Sequence, residues 1–303
     1  MATLFDRVIV RVLPAVPRPV VRKVAGRYIA GEALPDAVRV VRALNEAGKA
    51  ATIDVLGEEI ESPGEARAIA ATYREVLETI ERERLDANVS VKLTGLGLEL
   101  DYGLCRENLE AVVADAAARS SFVRIDMEDS SCTDDTLRLY RQLRETGHEN
   151  VGVVLQARLR RTVDDIRALA DLRPNVRLCK GIYVEREEIA FQRYEEVRAS
   201  FVRALEALLE AGCYVAVATH DEWLIGESLR RLYEGGVSRD SYETQFLLGV
   251  RVERADQLVH EGHRLRVYVP FGARWYEYSL RRMQENPRLA GQIALETLNR
   301  LIP

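Results

Sequence analysis

Short runs of apolar and β-branched residues alternate along the chain with longer stretches in which apolar residues recur every three or four positions. The runs are KAATIDVLGE (49–58), VSVKLTGLG (89–97), FVRIDMED (122–129) and VGVVLQARL (151–159), then VRLCKGIY (176–183), YVAVATHD (214–221), YETQFLLGV (242–250) and HRLRVYVPFG (263–272). They predict eight strands, spaced by roughly 20–40 residues, the room that a repeated strand–helix unit needs. The intervals carry helical patterns. SPGEARAIAATYREVLETIERE (62–83) opens with a Ser cap and Pro in the first turn. CTDDTLRLYRQLRETG (132–147) predicts Thr133 as cap and closes on Gly. EIAFQRYEEVRASFVRALEALLEAG (188–212) predicts the longest helix, and ADQLVHEG and WYEYSLRRMQEN follow the last two strands.

Eight strand–helix units in series predict an α/β fold: a (β/α)8 barrel of TIM type spanning residues 49–303. An open doubly wound sheet is the competing arrangement, but it usually has fewer strands, and no Gly-rich phosphate loop follows the first run. Residues 1–48 are expected to precede the barrel as a separate N-terminal helical segment. It is basic, with Arg7, Arg11, Arg18, Arg22, Lys23 and Arg27 against Asp6, and LFDRVIVRVL interleaves apolar positions. Such a helix either caps one end of the barrel or lies on an anionic membrane.

Composition narrows the class. The chain has 303 residues, 47% of them hydrophobic, and a net charge of −5, which gives no electrostatic reason to expect a nucleic-acid partner. No apolar run reaches the roughly 18–20 residues that span a bilayer, and no secretory apolar region is evident at the N-terminus. Cys105, Cys132, Cys179 and Cys213 lie far apart, which predicts reduced thiols in a cytoplasmic compartment. Lysine is scarce: Lys23, Lys49, Lys92 and Lys180 are the whole set. Two fall inside strand-like runs, by chance in an Arg-rich chain or because those sites need an ammonium.

Barrel enzymes place their chemistry at the C-terminal ends of the strands. Every run ends in polar groups there: Asp54 and Glu58; Lys92; Asp126, Glu128 and Asp129; Gln156; Arg177, Lys180 and Tyr183; Thr219, His220 and Asp221; Glu243 and Gln245; Tyr268. Buried charges must pair or meet a ligand. Lys92 and Asp126 read either as a structural ion pair or as part of a site. His220 reads equally as a hydrogen-bonded core residue. No dense His, Cys or carboxylate cluster suggests a metal. After the last strand, Tyr278, Arg281 and Arg282 share a face if the segment is helical. The two arginines are a carboxylate clamp or ordinary surface residues. These features predict a barrel enzyme acting on a small carboxylate.

The motifs DVLGE, VSVKLTGLG, RIDMEDS, VVLQARL, RLCKGIY, ATHD, QFLLGV and RVYVPFG…YSLRR, in unbroken order over roughly residues 35–290, resemble those of proline dehydrogenase in its compact bacterial form. The resemblance implies a distorted barrel that binds FAD without a Rossmann fingerprint. It implies oxidation of L-proline at C5 to Δ1-pyrroline-5-carboxylate, with electrons passing to a membrane quinone and the product to an aldehyde dehydrogenase. By motif, Lys92, Arg281 and Arg282 resemble the carboxylate clamp. Tyr183, Tyr268 and Tyr278, with Leu178, resemble the wall around the substrate ring. Asp126 and Arg177 resemble active-site groups. Met127, Gln156, Arg177, Lys180, Gly181, Ile182, Thr219 and His220 resemble cofactor contacts. Ile182, Val184 and Thr244 depart from the residues common in the family. Peripheral contact with the inner membrane face would follow from the quinone.

Two other classes fit parts of the chain. A Schiff-base barrel enzyme of aldolase type would use Lys92 or Lys180 as nucleophile. A non-enzymatic membrane-docking protein would rest on the basic N-terminal helix.

Overall fold

The computed structural model describes residues 26–57, 60–276, 278 and 279. Eight parallel strands close into a barrel in sequence order, and β8 pairs back to β1. Helix α1 (Leu34–Glu46) precedes β1 (Ala50–Val55). There follow α2 (Pro63–Arg82), β2 (Ala87–Val91), α3 (Tyr102–Ala118), β3 (Val123–Ile125), α4 (Thr133–Glu145) and β4 (Val151–Gln156). The second half runs through α5 (Thr162–Leu169), β5 (Asn175–Cys179), α6 (Tyr194–Glu210), β6 (Tyr214–Ala218), α7 (Glu222–Glu234), β7 (Tyr242–Leu247), α8 (Val252–His260) and β8 (Leu265–Phe271).

The strands are buried on both faces because helices cover the outside and side chains fill the inside. Outward-facing Ile53, Val89, Val123, Val153, Leu178, Val217 and Val267 join the helices in one apolar core. Helix α2 shows how the outer ring is specified. Ser62 accepts from the Glu65 amide at 3.3 Å and Pro63 opens the helix. Ala66, Ala70, Tyr73, Leu77 and Ile80 then make one buried stripe at helical spacing. Helix α1 buries Ala37, Val38 and Val41, and the chain before it runs beside the end of β8, where the Ala30 amide donates to the Pro270 carbonyl at 2.9 Å.

Three local expectations are corrected. Thr133 is the first residue of α4, not its cap; Cys132 holds that position. The segment 188–193 does not join α6, because Ala190 pairs with Leu159 in an isolated bridge and Arg193 is extended. In consequence α6 has 17 residues and α2, with 20, is longer.

Candidate active site

Strand parity decides which side chains enter the barrel. From β2 come Asn88 and Ser90, with Lys92 just beyond the strand. Arg124 and Asp126 enter from β3 and its end, Gln156 from β4, Arg177 from β5, Glu243 and Gln245 from β7, and Arg266 and Tyr268 from β8. Ser90, Lys92, Asp126, Arg177, Glu243, Gln245, Arg266 and Tyr268 bond one another, and Arg124 and Gln156 donate to backbone carbonyls beside them, so the interior is polar rather than an apolar plug. Among the described residues its ionic members include Lys92, Arg124, Arg177 and Arg266, with Asp54, Asp126 and Glu243.

Asp126 is the hub. Its Oδ1 accepts from Arg177 Nη1 at 2.6 Å and Ser90 Oγ at 2.7 Å, and its Oδ2 accepts from Tyr268 Oη at 2.8 Å. Lys92 Nζ donates to Asp54 Oδ1 at 2.9 Å and Tyr268 Oη at 3.1 Å, and lies 3.6 Å from Asp126 Oδ2. Burial alone would raise the Asp126 carboxyl; Arg177 and Lys92, with hydrogen bonds from Ser90 and Tyr268, outweigh it and hold the group below its ordinary value. Asp126 is therefore ionised at neutral pH. Burial, then the charges of Asp126 and Asp54, push the Tyr268 phenol well above its usual range. It stays protonated and serves as a donor.

Arg177 is 6% exposed, and its Nε donates to Gln245 Oε1 at 2.5 Å. Among the described residues its buried Nη2 makes no hydrogen bond. An idle guanidinium donor inside a barrel is costly unless a ligand meets it.

A second surface adjoins this network. Gln156 Nε2 donates to the carbonyls of Met127 at 3.1 Å and Glu128 at 2.7 Å, which aims its Oε1 at Gly181. Gly181 has φ +93°, and a Cβ there would sit 2.6 Å from that oxygen. Both the backbone angle and the close approach require glycine. The β5–α6 loop that follows is pinned twice: Arg158 Nη1 donates to the Tyr183 carbonyl at 2.9 Å, and Glu185 accepts from the Ser130 amide at 2.7 Å and hydroxyl at 2.8 Å. Lys180 Nζ lies 3.6 Å from Asp221 Oδ2 and 5.2 Å from the centre of the Tyr194 ring. Thr219 Oγ1 accepts from the Asp221 amide at 3.2 Å, and His220 Nε2 accepts from the Leu247 amide at 3.0 Å. Ile182 is exposed at the rim, and Tyr278 packs with Ile29 and Leu56.

The structure thus brings Lys92, Asp126, Arg177 and Tyr268 into one network, with Met127, Gln156 and Gly181 beside it. Lys180, Thr219 and His220 sit along the β5–β6 rim. Leu178 follows the inward Arg177 and is fully buried in the apolar core. One expectation is corrected. Glu243 lies low in the barrel, where it pairs with Arg266 at 2.9 Å, and does not reach the C-terminal face. Arg281, Arg282 and Glu58 lie outside the described residues. Sequence reading missed Ser90, although it stands two residues before Lys92 on the same strand face, and missed the Glu185–Ser130 link entirely.

A family model described as Proline dehydrogenase matches residues 37–294. The chain belongs to the proline dehydrogenase family. Proline dehydrogenase 1 of Bacillus subtilis (strain 168) is 39% identical over 263 residues, covering 87% of either chain. The proline dehydrogenase of Deinococcus radiodurans is 38% identical over 270 residues, 88% of this chain and 87% of that one. Among solved structures, proline utilization A (PutA) from Bdellovibrio bacteriovorus, inactivated by N-propargylglycine, superposes with a TM-score of 0.82 at 23% identity. The match covers 93% of this chain and 36% of that one. PutA from Corynebacterium freiburgense gives 0.77 at 22% identity over 95% and 33%. The chain spans about a third of those PutA proteins, and at such identity the likeness shows the barrel fold. Family membership makes this barrel an oxidoreductase and its polar interior the candidate active site.

Proposed function

We propose that this chain oxidises L-proline to Δ1-pyrroline-5-carboxylate with FAD, and that a membrane quinone takes the electrons. The observation that carries the reading is the buried Arg177 guanidinium, held by Asp126 and Gln245 with Nη2 idle among the described residues. Gly181 lets the loop after β5 close on Gln156 Oε1, which fixes that amide beside the network. FAD, when bound, supplies the acceptor for the hydride that leaves proline C5. Met127, Gln156, Arg177, Gly181 and Ile182 would hold its ring end, and Lys180, Thr219 and His220 the remainder.

The chain's own contribution is orientation and electrostatics. Lys92, with Arg281 and Arg282, binds the proline carboxylate and sets where C5 lies. Tyr183, Tyr268 and Tyr278 wall the ring and exclude water. Asp126 is ionised and accepts from Ser90, Arg177 and Tyr268, so it orients the cations rather than abstracting a proton. Arg177 favours the negative charge that builds on the cofactor as hydride arrives. The Schiff-base alternative needs an unengaged amine, whereas Lys92 is bound to Asp54 and Tyr268 and Lys180 lies 3.6 Å from Asp221. Among the described residues no helix is long and apolar enough to cross a membrane. Contact with the inner membrane face therefore rests on the basic, apolar-interleaved N-terminal segment. An aldehyde dehydrogenase consumes the product.

The test is a spectrum. Purified protein should be yellow, and anaerobic L-proline should bleach it. A colourless protein that gains no flavin on reconstitution would end the proposal.

A further inference from the structure

From the lower half of the barrel a chain of buried polar groups leads up to Arg177. Arg266 Nε donates to both oxygens of Glu243, at 2.9 and 3.1 Å, and its Nη1 donates to the Ala51 carbonyl at 2.7 Å. Glu243 accepts from Gln245 Nε2. Gln245 Oε1 accepts from Arg177 Nε at 2.5 Å. Arg266, Glu243, Gln245 and Arg177 are 7%, 3%, 6% and 6% exposed. Every link is thus shielded from water, where an unmade bond costs most.

This order has one consistent assignment. Burial would raise the Glu243 carboxyl, but Arg266 outweighs it and keeps the group ionised. An ionised carboxylate only accepts, so it must face the amide nitrogen of Gln245. The amide oxygen then faces Arg177. The flipped amide would set oxygen against carboxylate and NH2 against guanidinium, two repulsive contacts in place of two bonds. Arg177 is therefore gripped on two edges, Nε by Gln245 and Nη1 by Asp126 with Ser90 at 3.2 Å. A planar guanidinium held at two edges cannot swivel.

We propose that Gln245 is a positioning residue, set by the Glu243–Arg266 pair, that locks the plane of Arg177 and presents its Nη2 to the cofactor without neutralising its charge. A glutamate at 245 would reach equally far, yet it would cancel the charge of Arg177 and sit against Glu243. A neutral acceptor leaves the charge of Arg177 in place, which favours a reduced, negatively charged cofactor. This inference rests on the flavin reading of Arg177.

The test compares wild type, Gln245→Glu and Gln245→Met, each reconstituted with FAD and measured by anaerobic redox titration and by steady-state kinetics. Gln245→Glu should move the flavin midpoint to more negative values. Gln245→Met, which removes the acceptor but retains length, should lower kcat about tenfold, the worth of one well-made hydrogen bond, and leave KM for proline within about threefold. A purely structural role would lower thermal stability and flavin content together, without moving the midpoint of the enzyme that still binds flavin. If both variants bind FAD with the wild-type midpoint and kcat, the proposal is wrong. If Gln245→Met does not fold, the midpoint of Gln245→Glu alone decides. A wild-type protein that takes up no flavin would instead refute the functional reading beneath it.

Discussion

Replacing Lys92 by methionine tests the upper half of the network most sharply. Methionine retains much of the length and apolar stem but deletes the ammonium that donates to Asp54 at 2.9 Å and lies 3.6 Å from Asp126. Asp54 is fully buried and Asp126 is 8% exposed. Removing one member of a buried ionic cluster leaves charge uncompensated and typically costs about 3–5 kcal/mol. For a domain of this size that is a fall in Tm of roughly 5–20 °C. The cost should depend on pH, and the sign follows from the charges. In the wild type Asp126 lies below its ordinary value. Its contribution is complete above the unfolded carboxyl pKa and lost as pH falls through the folded value. In Lys92→Met the Asp54–Asp126 pair has lost a cation, so one carboxyl is raised and holds a proton. Its contribution is complete below the unfolded pKa and lost as pH rises through the raised folded value. The stability gap between variant and wild type should therefore widen from pH 5 to pH 8. Urea unfolding at those two pH values measures it, and Asp54→Asn added to Lys92→Met should close most of it. A gap that is constant with pH, or below about 1 kcal/mol at pH 8, would show that the Lys92 ammonium does not hold these carboxylates as described.

Two further outcomes follow from the loop after β5. Gly181→Ala places a methyl 2.6 Å from Gln156 Oε1 at φ +93°. It should cost roughly 1–3 kcal/mol of local strain and lower flavin content on purification. Glu185→Ala removes both bonds to Ser130 and should weaken FAD binding about tenfold in a fluorescence titration, with little change in Tm; unaltered affinity would show that the latch does not order the loop.

The barrel was readable because its strands, buried on both faces, form compact apolar runs that repeat at regular intervals between helical stretches. Part of the site was readable for the same reason: charges placed in such runs, as at Lys92, Asp126 and Arg177, must be paired or used. What was not readable depends on the closed barrel. Strand parity turns Leu178 outward once Arg177 points in, although both lie in one motif. Stagger between strands places Glu243 low and Gln245 one layer higher, and no local pattern gives that height. The Glu185–Ser130 link joins loops 55 residues apart, so neither end carries a nearby signal. The start of α6 was obscured because FQRYEE continues a helical pattern that the Leu159–Ala190 bridge interrupts.

A flavin and a small cyclic carboxylate should share the mouth of this polar interior. A crystal structure of the FAD-loaded protein with an unreactive cyclic carboxylate tests it directly. The flavin ring should lie within hydrogen-bond reach of Arg177 Nη2 and Gln156, and the carboxylate against Lys92. A flavin seated elsewhere, or a carboxylate remote from Lys92 with Arg177 Nη2 still idle, would contradict it.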